Sequence, residues 1–297
     1  MLKGSVETPW MTPLAELGAV RVQGADAVRF LQGQLSNDVA LLAPESLLLA
    51  GLHNPQGRVI AVLRLMAVGQ DDILAVLPRE LAAPVALRLA KYVLRAKAKV
   101  TDASAEWMFS GVVARDPPAS ATLAARVSNG TDRWLIASPA DGAVPEPDSD
   151  GVLKWRALDI AAGIPEVYAA TSEQFVAQML NLDVMGAISF TKGCYTGQEV
   201  IARAHYRGRV KRRMQRFRTG ASAQLASGDS GKLRDGRSFR IVEAVTLTDG
   251  RCEFLAVAPL TQGEEEPGDA PASAAPVASE VAPIDAEQLT LPYELPA

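Results

Sequence analysis

Three apolar stretches separated by short turns constrain this chain most: Leu47 to Leu52, Val59 to Val68 and Ile73 to Leu77. Asn54-Pro55-Gln56-Gly57 joins the first pair and Gly69-Gln70-Asp71-Asp72 the second. Both links are turn-forming clusters, and connections this short join antiparallel neighbours. Upstream, Val20 to Gln23 alternates apolar and polar residues as a strand does, and Gly24 ends it. Asp26 then reads as the cap of a helix carrying Val28, Phe30, Leu31 and Leu35. Between Arg79 and Leu94, Leu81, Val85, Leu89, Tyr92 and Val93 recur at helical spacing, with Pro84 near the first turns, where proline disrupts least. The first two thirds of the chain are therefore expected to be α+β, with largely antiparallel sheets.

Further strands are expected around Met108 to Ala114 and Trp134 to Ala137, followed by a Pro/Asp/Gly loop from Pro139 to Gly151. A helix from Val152 to Ala162 has its stop signal in Gly163 and Pro165. Thr171-Ser172-Glu173-Gln174 has capping-box spacing and predicts another helix through Phe175, Met179 and Leu180. Beyond Arg213, the short strands Gln215 to Arg218, Ser238 to Leu247 and Cys252 to Ala258 alternate with Gly/Asp turns, the pattern of a small barrel or sandwich. The expected organisation is a body over 1–205, a C-terminal β-barrel over 206–262, a flexible acidic Ala/Pro linker over 263–288, and a tail over 289–297 that regains apolar character and docks on the body.

Of the 297 residues, 48% are hydrophobic and 22% charged, an ordinary soluble composition. No apolar run approaches the ~18 residues of a membrane span, and the N-terminal stretch has no apolar signal region. A cytoplasmic protein with no membrane partner is expected. The cysteines, Cys194 and Cys252, form no disulfide framework, and with His53 and His205 they make no zinc-site spacing, so no intrinsic metal is expected. The net charge of −4 hides a segregation: residues 192–218 carry nine Lys/Arg against one acid, Glu199, while residues 263–297 carry eight acids and no Lys or Arg. Such asymmetry suits either an anionic partner or a solvated basic face.

The most informative stretch is Thr191-Lys192-Gly193-Cys194-Tyr195-Thr196-Gly197-Gln198-Glu199-Val200-Ile201-Ala202-Arg203. Thr196 and Glu199 have the spacing of a capping box, with Tyr195 and Val200 at the positions of a hydrophobic staple. A helix N-terminus close to Cys194, with Lys192 and Arg203 nearby in sequence, favours thiolate over thiol. Gly193 and Gly197 permit close backbone approach to a ligand or partner. Two readings of Cys194 stand at this point, a reactive or ligand-binding thiol and a small packing residue. Cys252 lies among strand residues and reads as packing. A Cys-His hydrolase is disfavoured because nothing in the sequence brings His53 or His205 to Cys194.

Lys-Gly-Cys-Tyr-Thr-Gly-Gln-Glu-Val-Ile-Ala-Arg over 192–203 resembles the signature of the YgfZ family of folate-binding proteins, relatives of the glycine-cleavage aminomethyltransferase, or T-protein. The resemblance extends over Gly24-Ala25-Asp26, Phe30 to Val39, Asn54 to Arg58, Lys91 to Arg95, Gly163-Ile164-Pro165, Leu180-Asn181-Leu182 and Leu291-Pro292-Tyr293. Residues 263–288 stand outside it. The resemblance implies a folate-binding α+β body followed by a small β-barrel. It also implies a role in iron-sulfur cluster assembly or repair that supports tRNA modification by cluster-dependent enzymes, with Cys194 as the functional thiol beside Lys192.

The implied cofactor is tetrahydrofolate or a one-carbon derivative. Trp155 falls where the family has a folate-facing tryptophan, while the family's second aromatic is matched only by Leu17, with Trp10 further upstream. Gln32, Asn37 and Asp38 would give polar contacts to the pterin, and Arg95 or Lys97 would hold the glutamate tail, with Arg203, Arg207 and Arg209 available for the tail or for a partner. Gly193 completes the expected ligand-facing set, and a transient iron-sulfur contact would fall at Cys194. Expected partners are folate and iron-sulfur enzymes or carriers. Two alternatives remain open, a tetrahydrofolate-dependent aminomethyltransferase and a tRNA-binding module that uses the basic stretch. Whether any reaction is catalysed is left open by the sequence, with a non-enzymatic assembly factor favoured.

Overall fold

The computed structural model describes residues 9–127, 132–140, 148–208, 210–220, 224–261 and 281–296. Residues 263–280 of the expected linker, residues 141–147 of the Pro/Asp/Gly loop, and Arg209 lie outside the described residues. In chain order the elements begin β1 (Trp10–Pro13), β2 (Leu17–Gln23), α1 (Ala27–Gln32), β3 (Leu48–His53), β4 (Val59–Gly69), β5 (Asp72–Pro78) and α2 (Arg79–Ala90). Next come β6 (Lys99–Asp102), β7 (Trp107–Val113), β8 (Leu123–Arg126), β9 (Arg133–Pro139), α3 (Ser149–Ala162) and α4 (Gln198–Arg207). The chain finishes with β10 (Arg212–Thr219), β11 (Ser230–Lys232), β12 (Ser238–Thr246), β13 (Cys252–Pro259) and β14 (Ala286–Leu289).

These strands build three antiparallel sheets, ordered β1-β7-β9-β8, β3-β4-β5-β2-β6 and β11-β12-β13-β10-β14. The chain divides into two compact units that are discontinuous in sequence. One consists of Met1–Leu31, Val39–Leu48 and Leu63–Trp155; the other of Gln32–Asp38, Leu49–Val62 and Arg156–Ala297. Among the described residues no helix is long and apolar enough to cross a membrane.

In the first unit, β2 pairs with β5 along its whole length and with β6 on its other side. Helix α2 covers this surface with Leu81, Val85 and Leu89, the buried residues of the expected helical face. It ends at Ala90, short of Leu94, whose φ of 42° lies in the left-handed region, and Tyr92 is exposed. The Asp26 carboxylate accepts the Lys97 amide at 2.8 Å, which draws it to the α2–β6 connection, while its carbonyl accepts the Phe30 amide at 2.7 Å at the start of α1. Because α1 stops at Gln32, Leu35 is not part of it; Leu35 is fully buried and bridges to Leu52 within the second unit.

The second unit contains the C-terminal sheet, cored by Phe217, Phe239 and Phe254. No ladder closes it into a barrel among the described residues, and its edge strand β11 is three residues long. One C-terminal segment covers both edges instead. The amides of Val281 and Ile284 donate to the carbonyls of Ser230 and Lys232 on β11, and residues 286–289 then pair with β10 as β14. A strand edge left open offers unpaired backbone groups to other chains, and this segment pairs with part of each edge. Beyond β14, the Tyr293 hydroxyl donates to the Gly163 carbonyl at 2.8 Å.

The expected helix after Thr171 does not form. Glu173 sits at φ 61°, and Thr171 Oγ1 accepts the Tyr168 amide, making a local turn. The Gln174 side chain, which would complete the capping box, instead has its carbonyl taken by the Arg240 guanidinium at 3.2 Å. Only a 3-10 turn, Ala177–Leu180, follows.

Candidate functional site

The cysteine segment and the loop after α1 meet within the second unit. Ser36 is fully buried there and works as a two-way tie, its hydroxyl donating to the Ala187 carbonyl at 2.7 Å while accepting the Gly51 amide at 2.8 Å. The Asn37 side chain adds a second tie, donating to the Leu49 carbonyl at 2.7 Å and the Gly186 carbonyl at 2.9 Å, and accepting the Asp38 amide at 2.8 Å. Its amide is thus committed to the backbone. Gln32 donates to Asp38 at 2.7 Å across the same loop.

Lys192 closes this arrangement. Its ammonium donates to the carbonyls of Leu35 at 2.8 Å and Asn37 at 2.7 Å, and lies 5.3 Å from the centre of the Tyr195 ring. Half-burial pulls its pKa down to about 8, with Asp38 opposing the shift. Cys194 is a free, exposed thiol two residues further on. Gly193, beside it, is exposed, with open space where a Cβ would project. The backbone is therefore anchored on both sides of a thiol that faces solvent.

The far side of the segment rests on the Asn54–Arg58 turn. A Cβ on Gly197 would lie 2.7 Å from the Asn54 carbonyl oxygen and 3.1 Å from the Gly57 Cα, and Gly197 has φ 84°. Both conditions select glycine. This contact makes Gly197 the first residue flanking α4, with no side-chain cap, and leaves Thr196 outside the helix. The expected Thr196–Glu199 capping box is therefore absent, and Glu199 instead pairs with Arg203 at 3.1 Å on the exposed face of α4. The staple fails for the same reason: Val200 is exposed, and Ile201 is the buried residue of the helix.

Neither histidine is joined to Cys194 by a hydrogen bond or ring contact among the described residues. His205 stacks on Phe190 at 3.9 Å between centroids. His53 is 1% exposed, its ring folded over Gly51, and burial pushes its pKa down to about 3. Its ring nitrogens and the buried Tyr195 hydroxyl have no well-formed hydrogen bond, and the two rings lie 6.3 Å apart. Burial raises the Tyr195 hydroxyl to about 12. Among the described residues no group of three His, Cys, Asp or Glu side chains is placed to hold a metal ion.

The remaining expected residues are placed elsewhere. Trp155 belongs to the first unit and is 6% exposed. Arg133 covers its ring at 4.3 Å, and a Cβ on Gly111 would fall 2.3 Å from the indole. An indole packed in this way offers no open face for a pterin, so Trp155 does not fit the stacking role. Arg95 is exposed in the first unit. Much of the basic stretch is engaged internally: Arg213 with Asp183 at 2.9 Å, Arg216 with Glu253 at 2.6 Å, and Arg218 with Glu287 at 2.9 Å. The acidic tail thus supplies one counter-charge to the basic segment through β14. Sequence reasoning missed Ser36 and Asp183, because the signal of each lies in partners far along the chain.

No protein-family model matches the chain. Among curated proteins, it is 30% identical over 259 residues to the tRNA-modifying protein YgfZ of Escherichia coli O45:K1 (strain S88 / ExPEC), covering 77% of this chain and 79% of the relative. The protein of the same name from Escherichia coli strain K12 / DH10B matches over the same length, with 30% identity and the same coverage. Among solved structures, the glycine cleavage system aminomethyltransferase T from Bartonella henselae superposes with a TM-score of 0.62 at 15% identity, over 84% of this chain and 78% of that one. This last likeness establishes a T-protein-like fold. With the Lys192–Arg203 segment anchored as described, the identity and coverage place the chain in the YgfZ family.

Proposed function

We propose that the protein is a cytoplasmic accessory factor for iron-sulfur cluster assembly or repair, that it supports tRNA modification by cluster-dependent enzymes, and that Cys194 is its working thiol. The observation that carries this reading is the pairing of a solvent-facing thiol with a backbone immobilised by Lys192 on the Leu35 and Asn37 carbonyls. A soft sulfur held in fixed position and open to a partner suits brief contact with iron or a cluster, which is cargo here. The relatives' name, tRNA-modifying protein, supports the downstream link. Lys192 acts as a positioning residue in this scheme, since its ammonium is committed to carbonyl oxygens.

Tetrahydrofolate or a one-carbon derivative is the proposed cofactor, on the strength of family and fold. Gln32 and Asp38 are its nearest polar candidates beside Lys192, while Asn37 is spent on the backbone and Trp155 is covered. In cells lacking the protein, wild type should restore cluster-enzyme activity and Cys194→Ala should not; full rescue by Cys194→Ala would remove the thiol from the scheme. Titration with tetrahydrofolate and its one-carbon forms, followed by calorimetry, tests the cofactor separately. Direct contact with tRNA is a second reading, favoured by the outward Arg203, Tyr206 and Arg207 of α4. Its signature is binding that weakens steeply with salt.

A further inference from the structure

In the second unit lies a cleft of about 340 Å³. Phe175, Val176, Met179 and Phe239 contribute its apolar floor. Arg58, Arg212, Lys232 and Arg240 line it as well, and none of the described lining residues is Asp or Glu. The four cations come from the Asn54–Arg58 turn, the first residue of β10, the last residue of β11 and the middle of β12. Nothing in local sequence relates them; the sheet brings them together.

Neutral groups hold Arg58 and Arg240 in position. Arg58 donates to the Gln174 carbonyl at 2.9 Å. Arg212 donates to the Ser238 hydroxyl at 2.9 Å and to its carbonyl at 3.2 Å. Arg240 donates to the Gln174 side-chain carbonyl at 3.2 Å, and no carboxylate pairs with it among the described residues. A half-buried arginine facing only a neutral amide is costly, because burial removes water from the cation without returning a counter-charge. Burial accordingly pulls the Arg240 pKa below its ordinary value, with no acid opposing the shift.

We infer that this cleft binds the phosphate group of a small phosphorylated molecule, with the apolar floor receiving the body of the ligand. Converging cations suit a group that concentrates more than one negative charge on one head, and the arginine fork matches phosphate oxygens. The hydroxyls of Ser230 and Ser238 also line the cleft and can donate to such a group. The cleft volume lies at the small end of the range for ligand pockets and fits a compact metabolite. Cys194 is not among the lining residues.

The test is isothermal titration of the full chain with inorganic pyrophosphate, with a tri-glutamate peptide as the carboxylate control. Pyrophosphate should bind, weaken with added salt, and lose about tenfold in affinity in both Lys232→Gln and Arg240→Gln, as expected for removal of one charge-assisted contact. Lys232 is exposed, so Lys232→Gln keeps the test decisive even if Arg240→Gln perturbs folding. Absence of pyrophosphate binding, unchanged affinity in Lys232→Gln, or tighter binding of tri-glutamate than of pyrophosphate would each overturn the assignment.

Discussion

The Lys192 ammonium lies 2.7 Å from the carbonyl oxygen of Asn37, linking two residues far apart in the chain. With the matching bond to Leu35, it ties the cysteine segment to the loop that follows α1. Lys192→Met keeps the aliphatic stem and removes both donors. Hydrogen bonds from a charged group contribute roughly 1.5–3 kcal/mol, so urea denaturation should place the variant lower in stability by about that much. Rescue of cluster-enzyme activity should fail although Cys194 is intact; full rescue at normal protein levels would remove Lys192 from its positioning role.

Gly197→Ala tests the other anchor. The new methyl would meet the Asn54 carbonyl at 2.7 Å and would hold a non-glycine residue at φ 84°. Strain of this kind costs on the order of 1–3 kcal/mol. A matching loss in chemical denaturation is expected, together with faster alkylation of Cys194 as the segment loosens. Unchanged stability and alkylation would show that the contact with the Asn54–Arg58 turn does not hold the segment.

Burial lowers the His53 pKa from 6.5 to about 3, so the unfolded chain binds a proton that the folded chain refuses within that interval. Stability should therefore fall as pH drops below about 6.5, and the loss should be complete near 3. His53→Phe cannot take up that proton and should show a flatter acid limb in urea titrations run at several pH values. Parallel acid limbs for the two proteins would place the proton-linked loss elsewhere.

Glu243 gives the opposite slope. It is buried at the β-bulge of β12, faces Glu166, Asp159 and Arg156, and accepts the Tyr168 hydroxyl at 2.8 Å. Burial and the neighbouring acids raise its pKa from 4.5 to about 8, so the folded chain keeps a proton that the unfolded chain releases. Its contribution is present below 4.5 and is lost as pH rises through 8. Glu243→Gln should therefore gain stability over wild type at pH 8 and little or none at pH 4.5.

The strand boundaries were legible in the sequence because alternation and turn residues are local signals. Leu47 to Leu52, Val59 to Val68 and Ile73 to Leu77 fall on β3, β4 and β5 with ends shifted by a residue or so. Gly163 ends α3 as the stop signal requires. Capping boxes were the weakest local signal. At Thr171 and at Thr196 the spacing is correct, yet the side chain that would reach back has another partner, Arg240 for Gln174 and Arg203 for Glu199. A cap is worth only about 1 kcal/mol, so packing and ion pairing readily override it.

By itself the sequence determined the α+β class, the antiparallel pairing, the family and the segment carrying Cys194, because each is written in residues close together along the chain. Tertiary structure alone decided which polar groups meet. It placed Lys192 on the carbonyls of Leu35 and Asn37, buried His53 without a well-formed hydrogen bond, covered Trp155 with Arg133, and consumed Arg213, Arg216 and Arg218 in internal ion pairs. It also gathered Arg58, Arg212, Lys232 and Arg240 around one cleft. The physical reason is common to all of these: a charge count is blind to distance and burial, and those two quantities decide whether a cation is spent within the protein or left facing a ligand.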